Sequence, residues 1–190
     1  MILTLKEYKD YKNIASTNQD TELLKVIPAV NQTITSYCNR TFVDYYASDK
    51  TEYFDATLED YFPKEFPIVS VTSIKYSSNN DGVYDTDLNQ YTDWVIDDEY
   101  SRIVAVNNYF VSSPVPFNSG QLIYKGGYEH LPEDITLAAV HLAEYYLEEG
   151  YTPRKSLAGA SVDNVIIPDK TARMPAHVRR ILEHYRACEL

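Results

Sequence analysis

The chain has 190 residues and a formal net charge of −11, with 44% hydrophobic and 24% charged residues. These values are typical of a globular protein with one core, and the acidic excess argues against general affinity for nucleic acid phosphates. No apolar run approaches the roughly 18 residues that cross a bilayer, and the opening MILTLKEYKDYK lacks the apolar core of a signal peptide. We expect no membrane partner and a protein that stays in the compartment where it is made.

The cysteines and the tyrosines bear on redox state and on protein contacts, respectively. Cys38 and Cys188 lie far apart in the sequence and fit no zinc-binding spacing, so we expect reduced structural thiols. Tyrosine is frequent, at 18 residues. Tyrosine is enriched at protein interfaces because it buries area and keeps a polar end, although a tyrosine-rich rim around a core explains the number equally well.

The first forty residues predict two helices. Thr4 is a plausible cap for a short helix over residues 3–14, whose apolar residues recur at helical spacing. Asp20 caps a longer helix that runs to about Cys38. Pro28 lies inside this second helix and cannot donate a backbone hydrogen bond, so it predicts a kink one turn earlier.

Residues 41–125 change to a β-type pattern, with polar, turn-rich loops between short runs. Asp81-Gly82 is a candidate hairpin turn. The inward face of the longest run remains open, because its alternation holds only locally. The predicted strands are Thr51–Asp55, Ile68–Tyr76, Trp94–Ile96, Ile103–Val106 and Gln121–Lys125.

The strongest helical pattern follows a turn at Gly126-Gly127 and begins near Pro132. It runs to Gly150, and few of its positions look solvated, so we expect a helix enclosed on several sides. We interpret it as the centre of the domain, with a role in assembly and none in chemistry. The core and assembly positions are Ile135, Ala139, Leu142, Tyr145 and Tyr146.

The C-terminal forty residues differ from the rest in charge. Residues 151–190 hold seven Lys/Arg and four Asp/Glu, a net charge of +3 that leaves −14 for residues 1–150. Ser161–Ile167 is a candidate strand, and Pro175 opens a final helix. A docking or channel surface and ordinary solubility charge are equally good explanations of its arginines. The candidate partner interface is Arg173, Arg179, Arg180, Tyr185 and Arg186.

This order of elements predicts an α+β fold that is mainly a helical bundle of about four helices. A small β insertion, about residues 41–125, lies between helices 2 and 3. We expect two parts, a helical body over residues 1–150 and an extended C-terminal arm over residues 151–190 that ends in a helix.

The sequence shows no pattern typical of an enzyme. His141 and Glu144 are three residues apart on a predicted helix, but a metal site needs further ligands. Gly126-Gly127 lacks the flanking residues of a phosphate loop, and no nucleophile motif is present. We therefore predict no catalytic, metal or cofactor-binding site.

Five segments of the chain are more specific in their order and spacing than any one of them is alone. The segments are YCNRTF at Tyr37–Phe42, FPIVSVTSIKY at Phe66–Tyr76, YTDWVIDDEYSRI at Tyr91–Ile103, YKGGYEHLPEDITLAAVHLAEYY at Tyr124–Tyr146 and MPAHVRRILEHYR at Met174–Arg186. Taken in this order, they resemble the head–tail connector (adaptor) proteins of long-tailed bacteriophages, and the resemblance covers nearly the whole chain.

The resemblance implies a virion protein of the head–tail junction that is assembled in the host cytoplasm. It implies a ring, usually of twelve copies, that docks beneath the portal protein and continues the DNA channel. A stopper or tail-completion protein would bind below, and residues 151–190 would reach toward the portal. DNA would pass without specific binding, which suits an acidic body. The alternative is a DNA-binding or DNA-packaging accessory module, which predicts salt-sensitive binding to duplex DNA.

Overall fold

The computed structural model describes residues 1–79, 81–107, 109–111, 118–148 and 174–187. Contacts within the chain divide it into two compact units. The helical unit consists of Met1–Cys38 and Pro132–Tyr185. The β unit consists of Asn39–Leu131 and Arg186–Leu190.

The helical unit contains four helices in the described residues. The first begins with a capping box, in which the Thr4 hydroxyl accepts a hydrogen bond from the Glu7 amide and the Glu7 carboxylate accepts one from the Thr4 amide. It ends at Asn13, which has the left-handed backbone typical of a helix end. The four helices are α1 (Leu5–Lys12), α2 (Asp20–Cys38), α3 (Glu133–Glu148) and α4 (Ala176–Glu183).

α2 continues through Pro28 as one helix. Pro28 and Leu24 are both exposed, so water can satisfy the Leu24 carbonyl that the proline leaves unbonded. Asn39, with a φ of 53°, ends the helix. The opposite side of α2 packs with the other helices around an apolar core that includes Leu3, Tyr8, Leu23, Ile27, Val30, Ile34, Ile135, Ala138, Leu142, Val178 and Leu182.

The β unit contains two antiparallel sheets. The four-stranded sheet has the strand order β1-β7-β3-β4, and the three-stranded sheet has the order β2-β6-β5. One apolar cluster, which includes Phe54, Ile74, Trp94, Ile103 and Leu122, packs between residues of both sheets. The strands are β1 (Lys50–Phe54), β2 (Asp60–Tyr61), β3 (Ile68–Tyr76), β4 (Thr86–Leu88), β5 (Trp94–Asp97), β6 (Arg102–Ala105) and β7 (Gly120–Gly126).

β3 shows why simple alternation failed to assign its faces. Its pairing with β7 shifts register twice, between Ile68 and Ser70 and between Val71 and Ser73. Each shift adds a residue to one strand and changes which side chains point inward. Ile68, Val71, Ile74 and Tyr76 consequently all pack against the same core.

The expectation of a mainly helical bundle with a small β insertion is wrong. The described residues contain four helices, as expected, but also seven strands in two sheets, with a separate core in the β unit. The sequence patterns missed β2 and β4, which have two and three residues and are too short to show a period. The five predicted strands are all present within one or two residues.

Several expectations fall on residues outside the described ranges. They are the end of the central helix at Gly150 and the strand at Ser161–Ile167. The boundary near residue 150 between the predicted body and the predicted arm also falls there, so this division of the chain stays a prediction. In the part that is described, α4 belongs to the same compact unit as α1, α2 and α3. Within the described ranges, no helix combines the length and the apolarity needed to cross a bilayer.

Candidate assembly surfaces

α3 contributes its predicted apolar stripe mainly to the interior of the helical unit. Ile135, Ala139 and Leu142 are fully buried. Tyr145 and Tyr146 are only partly buried, and their ring centroids lie 6.0 Å apart. Of the five predicted core and assembly positions, these two tyrosines are the ones that are not fully buried.

α4 packs antiparallel to α3, with a polar contact near each end. His177 Nε2 lies 3.2 Å from His141 Nδ1, within hydrogen-bonding distance. The Tyr185 hydroxyl lies 2.8 Å from each carboxylate oxygen of Asp134 and donates to that group. Val178 and Leu182 are fully buried, so α4 is part of the core of the helical unit.

The outer side of α4 carries two of the four predicted arginines. Arg180 is exposed, and Arg179 Nε lies 3.6 Å from a carboxylate oxygen of Glu183. Arg186 is exposed but lies beyond the end of α4 and belongs to the β unit, and Arg173 lies outside the described residues. With two arginines and one acid, α4 is positive on a chain with a net charge of −11.

The β unit buries a second set of charged groups, which the sequence patterns did not reveal. Arg40 is 2% exposed and Glu65 is fully buried. The Arg40 guanidinium lies 3.8 Å from the centroid of the Phe66 ring and donates to the Phe66 carbonyl. Glu65 accepts from the amides of Thr41 and Phe42 at 2.9 and 3.1 Å. We call this set the buried charge cluster: Arg40, Lys50, Glu52, Tyr61, Glu65 and Tyr124.

Lys50 joins the two carboxylates of the buried charge cluster. Its Nζ lies 3.0 Å from Glu52 and 3.2 Å from Glu65. The hydroxyls of Tyr61 and Tyr124 each donate to Glu52 at 2.8 Å, and the Tyr124 hydroxyl also accepts from the Glu65 amide at 2.9 Å. The buried acids are thus extensively hydrogen-bonded, which removes most of the penalty for burying them.

The surroundings set the protonation of these groups. Burial, reinforced by the nearby Glu52 carboxylate, raises the pKa of both Tyr61 and Tyr124 well above the ordinary value, so both remain hydrogen-bond donors. Burial also acts to raise the pKa of Glu65. The Thr41 amide and the positive charges of Lys50 and Arg40 outweigh it, and they hold that pKa below its ordinary value.

The buried charge cluster adjoins the two segments through which the chain enters and leaves the β unit. Phe42 has a φ of 75°, which is strained for a bulky residue. Its carbonyl accepts from the Tyr128 amide at 2.7 Å. A Cβ on Gly127, whose φ is 99°, would lie 2.2 Å from that carbonyl oxygen. Glycine at 127 is therefore required by both backbone conformation and space.

The arrangement suits protein–protein contact better than catalysis. Glu144, considered above with His141 as a metal-ligand pair, instead forms an ion pair with Lys12, and His141 contacts His177. Within the described ranges, no three His, Cys, Asp or Glu side chains gather in a way that could hold a metal ion. The described surface offers basic side chains on α4 and partly exposed tyrosines on α3.

Comparison with known proteins gives three concordant results. A family model described as head completion protein matches residues 1–188. The head completion protein of Escherichia phage T5 is 25% identical over 185 residues, which cover 97% of this chain and 98% of that protein. The fold is also similar to chains in two solved structures of a gene transfer agent (GTA).

The first of these structures is the neck of an empty GTA particle computed with C6 symmetry, with a TM-score of 0.56 and 19% identity over 100% of this chain and 91% of that chain. The second is the neck of a native particle computed with C12 symmetry, with a TM-score of 0.53 and 18% identity over 98% and 89% of the two chains. At these identities the similarity concerns the fold alone.

Proposed function

We propose that this chain, which belongs to the head completion protein family, forms a ring beneath the portal protein that extends the DNA channel and provides the docking surface for a stopper or tail-completion protein. Head completion proteins are structural proteins of the virion, and the chain is accordingly a structural protein of the head–tail junction and not an enzyme. The observation that carries the proposal is the family match over residues 1–188.

The ring is supported by the symmetry of the particles that contain a similar fold. Their necks were computed with C6 and C12 symmetry. A ring of identical subunits needs side-to-side contacts that close on themselves. We propose twelve copies on the portal, with the partly buried Tyr145 and Tyr146 of α3 at the contact between copies.

The portal contact is supported by the outer surface of α4. This surface is positive and bears Arg179 and Arg180 on an otherwise acidic chain. It is suited to an acidic partner surface, since complementary charges orient and accelerate association. Because Val178 and Leu182 are buried, deleting α4 would damage the core, and substitutions on its outer surface make the sharper test.

The test measures co-sedimentation of the purified chain with purified portal. We expect saturable binding that Arg180→Glu weakens by about tenfold, as loss of a charge contact does. Lys25→Glu makes the same charge change at an exposed position on α2 and should bind like the wild type. No association of the wild type with portal would overturn the proposal.

The alternative, a DNA-binding or packaging accessory module, makes the opposite prediction. It requires salt-sensitive binding of the isolated chain to duplex DNA. A mobility-shift titration over a range of salt concentrations separates the two, since a chain that lines a DNA channel without gripping it should show little binding.

A further inference from the structure

Two histidines from different helices meet at the surface of the helical unit. His141 lies in the middle of α3 and His177 in the first turn of α4, 36 residues apart in the chain. His177 is exposed and His141 is partly exposed. The sequence spacing paired His141 with Glu144, whereas the structure brings it against a second imidazole and pairs Glu144 with Lys12. We call His141 and His177 the histidine pair.

The geometry of the histidine pair matches that of two imidazole ligands on one metal ion. His141 Nδ1 and His177 Nε2 lie 3.2 Å apart, and the ring centroids lie 5.2 Å apart. A tetrahedral ion bound by both nitrogens at about 2.0–2.1 Å would hold those nitrogens about 3.3 Å apart and the ring centroids about 5.2 Å apart. Without a metal ion the same contact is a hydrogen bond, in which one ring donates and the other accepts. A bound ion would replace the proton that the two nitrogens share.

The two helices hold these nitrogens in place before any ion binds. Leu142 and Val178, the residues that follow the two histidines, are fully buried in the core of the helical unit. Further along the same pair of helices, the Tyr185 hydroxyl donates to the Asp134 carboxylate. Ligands that are already in position lose little conformational freedom on binding, and this favours affinity.

The donor atoms indicate the class of ion. Imidazole nitrogen suits Zn²⁺, Cu²⁺ and Ni²⁺, whereas Mg²⁺ and Ca²⁺ prefer oxygen ligands. Within the described residues no third His, Cys, Asp or Glu side chain completes the group, so water would fill the other coordination positions. One helical turn from the histidines, α3 carries Glu144 and α4 carries Arg180. These opposite charges offset each other, and the two imidazoles supply the affinity.

We propose that the histidine pair is a binding site for a divalent transition metal ion of the Zn²⁺ class. The ion would link α3 to α4, the helix of the proposed portal contact. With two protein ligands, the site should bind more weakly than a structural zinc site with four. The inference does not depend on the proposed ring, because both ligands belong to one copy of the chain.

Calorimetric titration with Zn²⁺ of the full chain, without a polyhistidine tag, tests the proposal. We expect one saturable site per chain. His141→Ala and His177→Ala should each weaken binding at least about tenfold, because one imidazole alone cannot chelate the ion. The matched control is His184→Ala, at an exposed position at the end of the same helix, and it should bind like the wild type. A wild type without a site tighter than about 1 mM, or binding that His177→Ala leaves unchanged, would overturn the inference.

Thermal melting measures whether the ion links the two helices. Saturating Zn²⁺ should raise the melting temperature of the wild type by about 2 °C or more, since a ligand that binds only the folded chain stabilises it. The same addition should leave the melting temperature of His177→Ala unchanged. Without Zn²⁺ this variant should melt close to the wild type, because alanine suits an exposed helical position. No rise in the wild type, or an equal rise in both chains, would overturn the inference.

Discussion

In the helical unit the buried side chains are apolar, whereas the β unit also buries Arg40, Glu52 and Glu65. The described part of the chain has five buried polar or charged residues, and all five lie in the β unit. The helical unit is thus held by packing of stripes that are visible in the sequence. The β unit depends in addition on ionic partners that the chain brings together over long sequence separations.

The two units should therefore be destabilised by different kinds of substitution. An apolar core fails when a charge enters it or a cavity forms. A buried ion network fails when one partner is removed, because the remaining charge is left without compensation. The network also adjoins the strained Phe42 backbone, so it fixes the geometry of the segment that enters the β unit.

The largest expected effect is in the helical unit. Leu142→Asp places an unpaired charge at a fully buried position and should cost at least about 5 kcal/mol, enough to unfold or aggregate the protein. Leu24→Asp makes the same change at a position that is 60% exposed and should cost less than about 0.5 kcal/mol. Thermal melting followed by circular dichroism separates them. Equal melting temperatures would remove Leu142 from the core.

The matching change in the β unit is Glu65→Gln. It removes the carboxylate that lies 3.6 Å from Arg40 and 3.2 Å from Lys50 inside the β unit, and should cost about 3 kcal/mol in the free energy of unfolding. Asp87→Asn breaks an exposed ion pair with Lys75, 3.2 Å long, and should cost at most about 1 kcal/mol. Urea denaturation measures both. A Glu65→Gln variant as stable as Asp87→Asn would show that the buried network does not hold the β unit together.

Glycine substitutions test the entry to the β unit. Gly127→Ala meets both a positive φ and the Phe42 carbonyl, and should cost about 2 kcal/mol. Gly82→Ala has a similar φ of 80° but nothing within 4 Å of the added Cβ, and should cost about 1 kcal/mol. If the two variants denature at the same urea concentration, the close approach at Gly127 has no energetic consequence.

The response to alkaline pH is gradual, and near pH 10 it is the smallest of these effects. The pKa of Tyr61 and of Tyr124 is raised in the folded state, by burial and then by Glu52, above the ordinary value of 10.0. Above pH 10 the unfolded chain has lost these protons and the folded chain keeps them. The free energy of unfolding should therefore fall with rising pH, with a slope that approaches about 1.4 kcal/mol per pH unit for each phenol well above pH 10.

Tyr61→Phe removes one of these phenols and should make the decline less steep, as measured by urea denaturation at several pH values from about 9 to about 11. The same slope in variant and wild type would show that Tyr61 does not report on the buried charge cluster.

The sequence predicted the helical unit more completely than the β unit. Local signals identified the helices, because a cap such as Thr4, the stripe of α2 and the period of α3 all act within a few turns. Local signals also found the longer strands. They could not reveal the two register shifts in β3 or the pairing of β1 with β7, which depend on distant residues.

The candidate surfaces show the same limit. The basic character of α4 is visible in the sequence, and the structure leaves Arg180 exposed. Arg40 and Glu65 look like ordinary surface charges in the sequence, because the two residues of this ion pair are 25 positions apart in the chain.

The central claim is that copies of this chain form one closed ring on the portal. Electron cryomicroscopy of purified portal, with and without the chain, tests it most directly. We predict an added ring of twelve copies on one end of the portal, coaxial with its channel, as the proposed function requires. Portal particles that remain unchanged at saturating chain concentration, or that bind scattered single copies with no ring, would contradict the account.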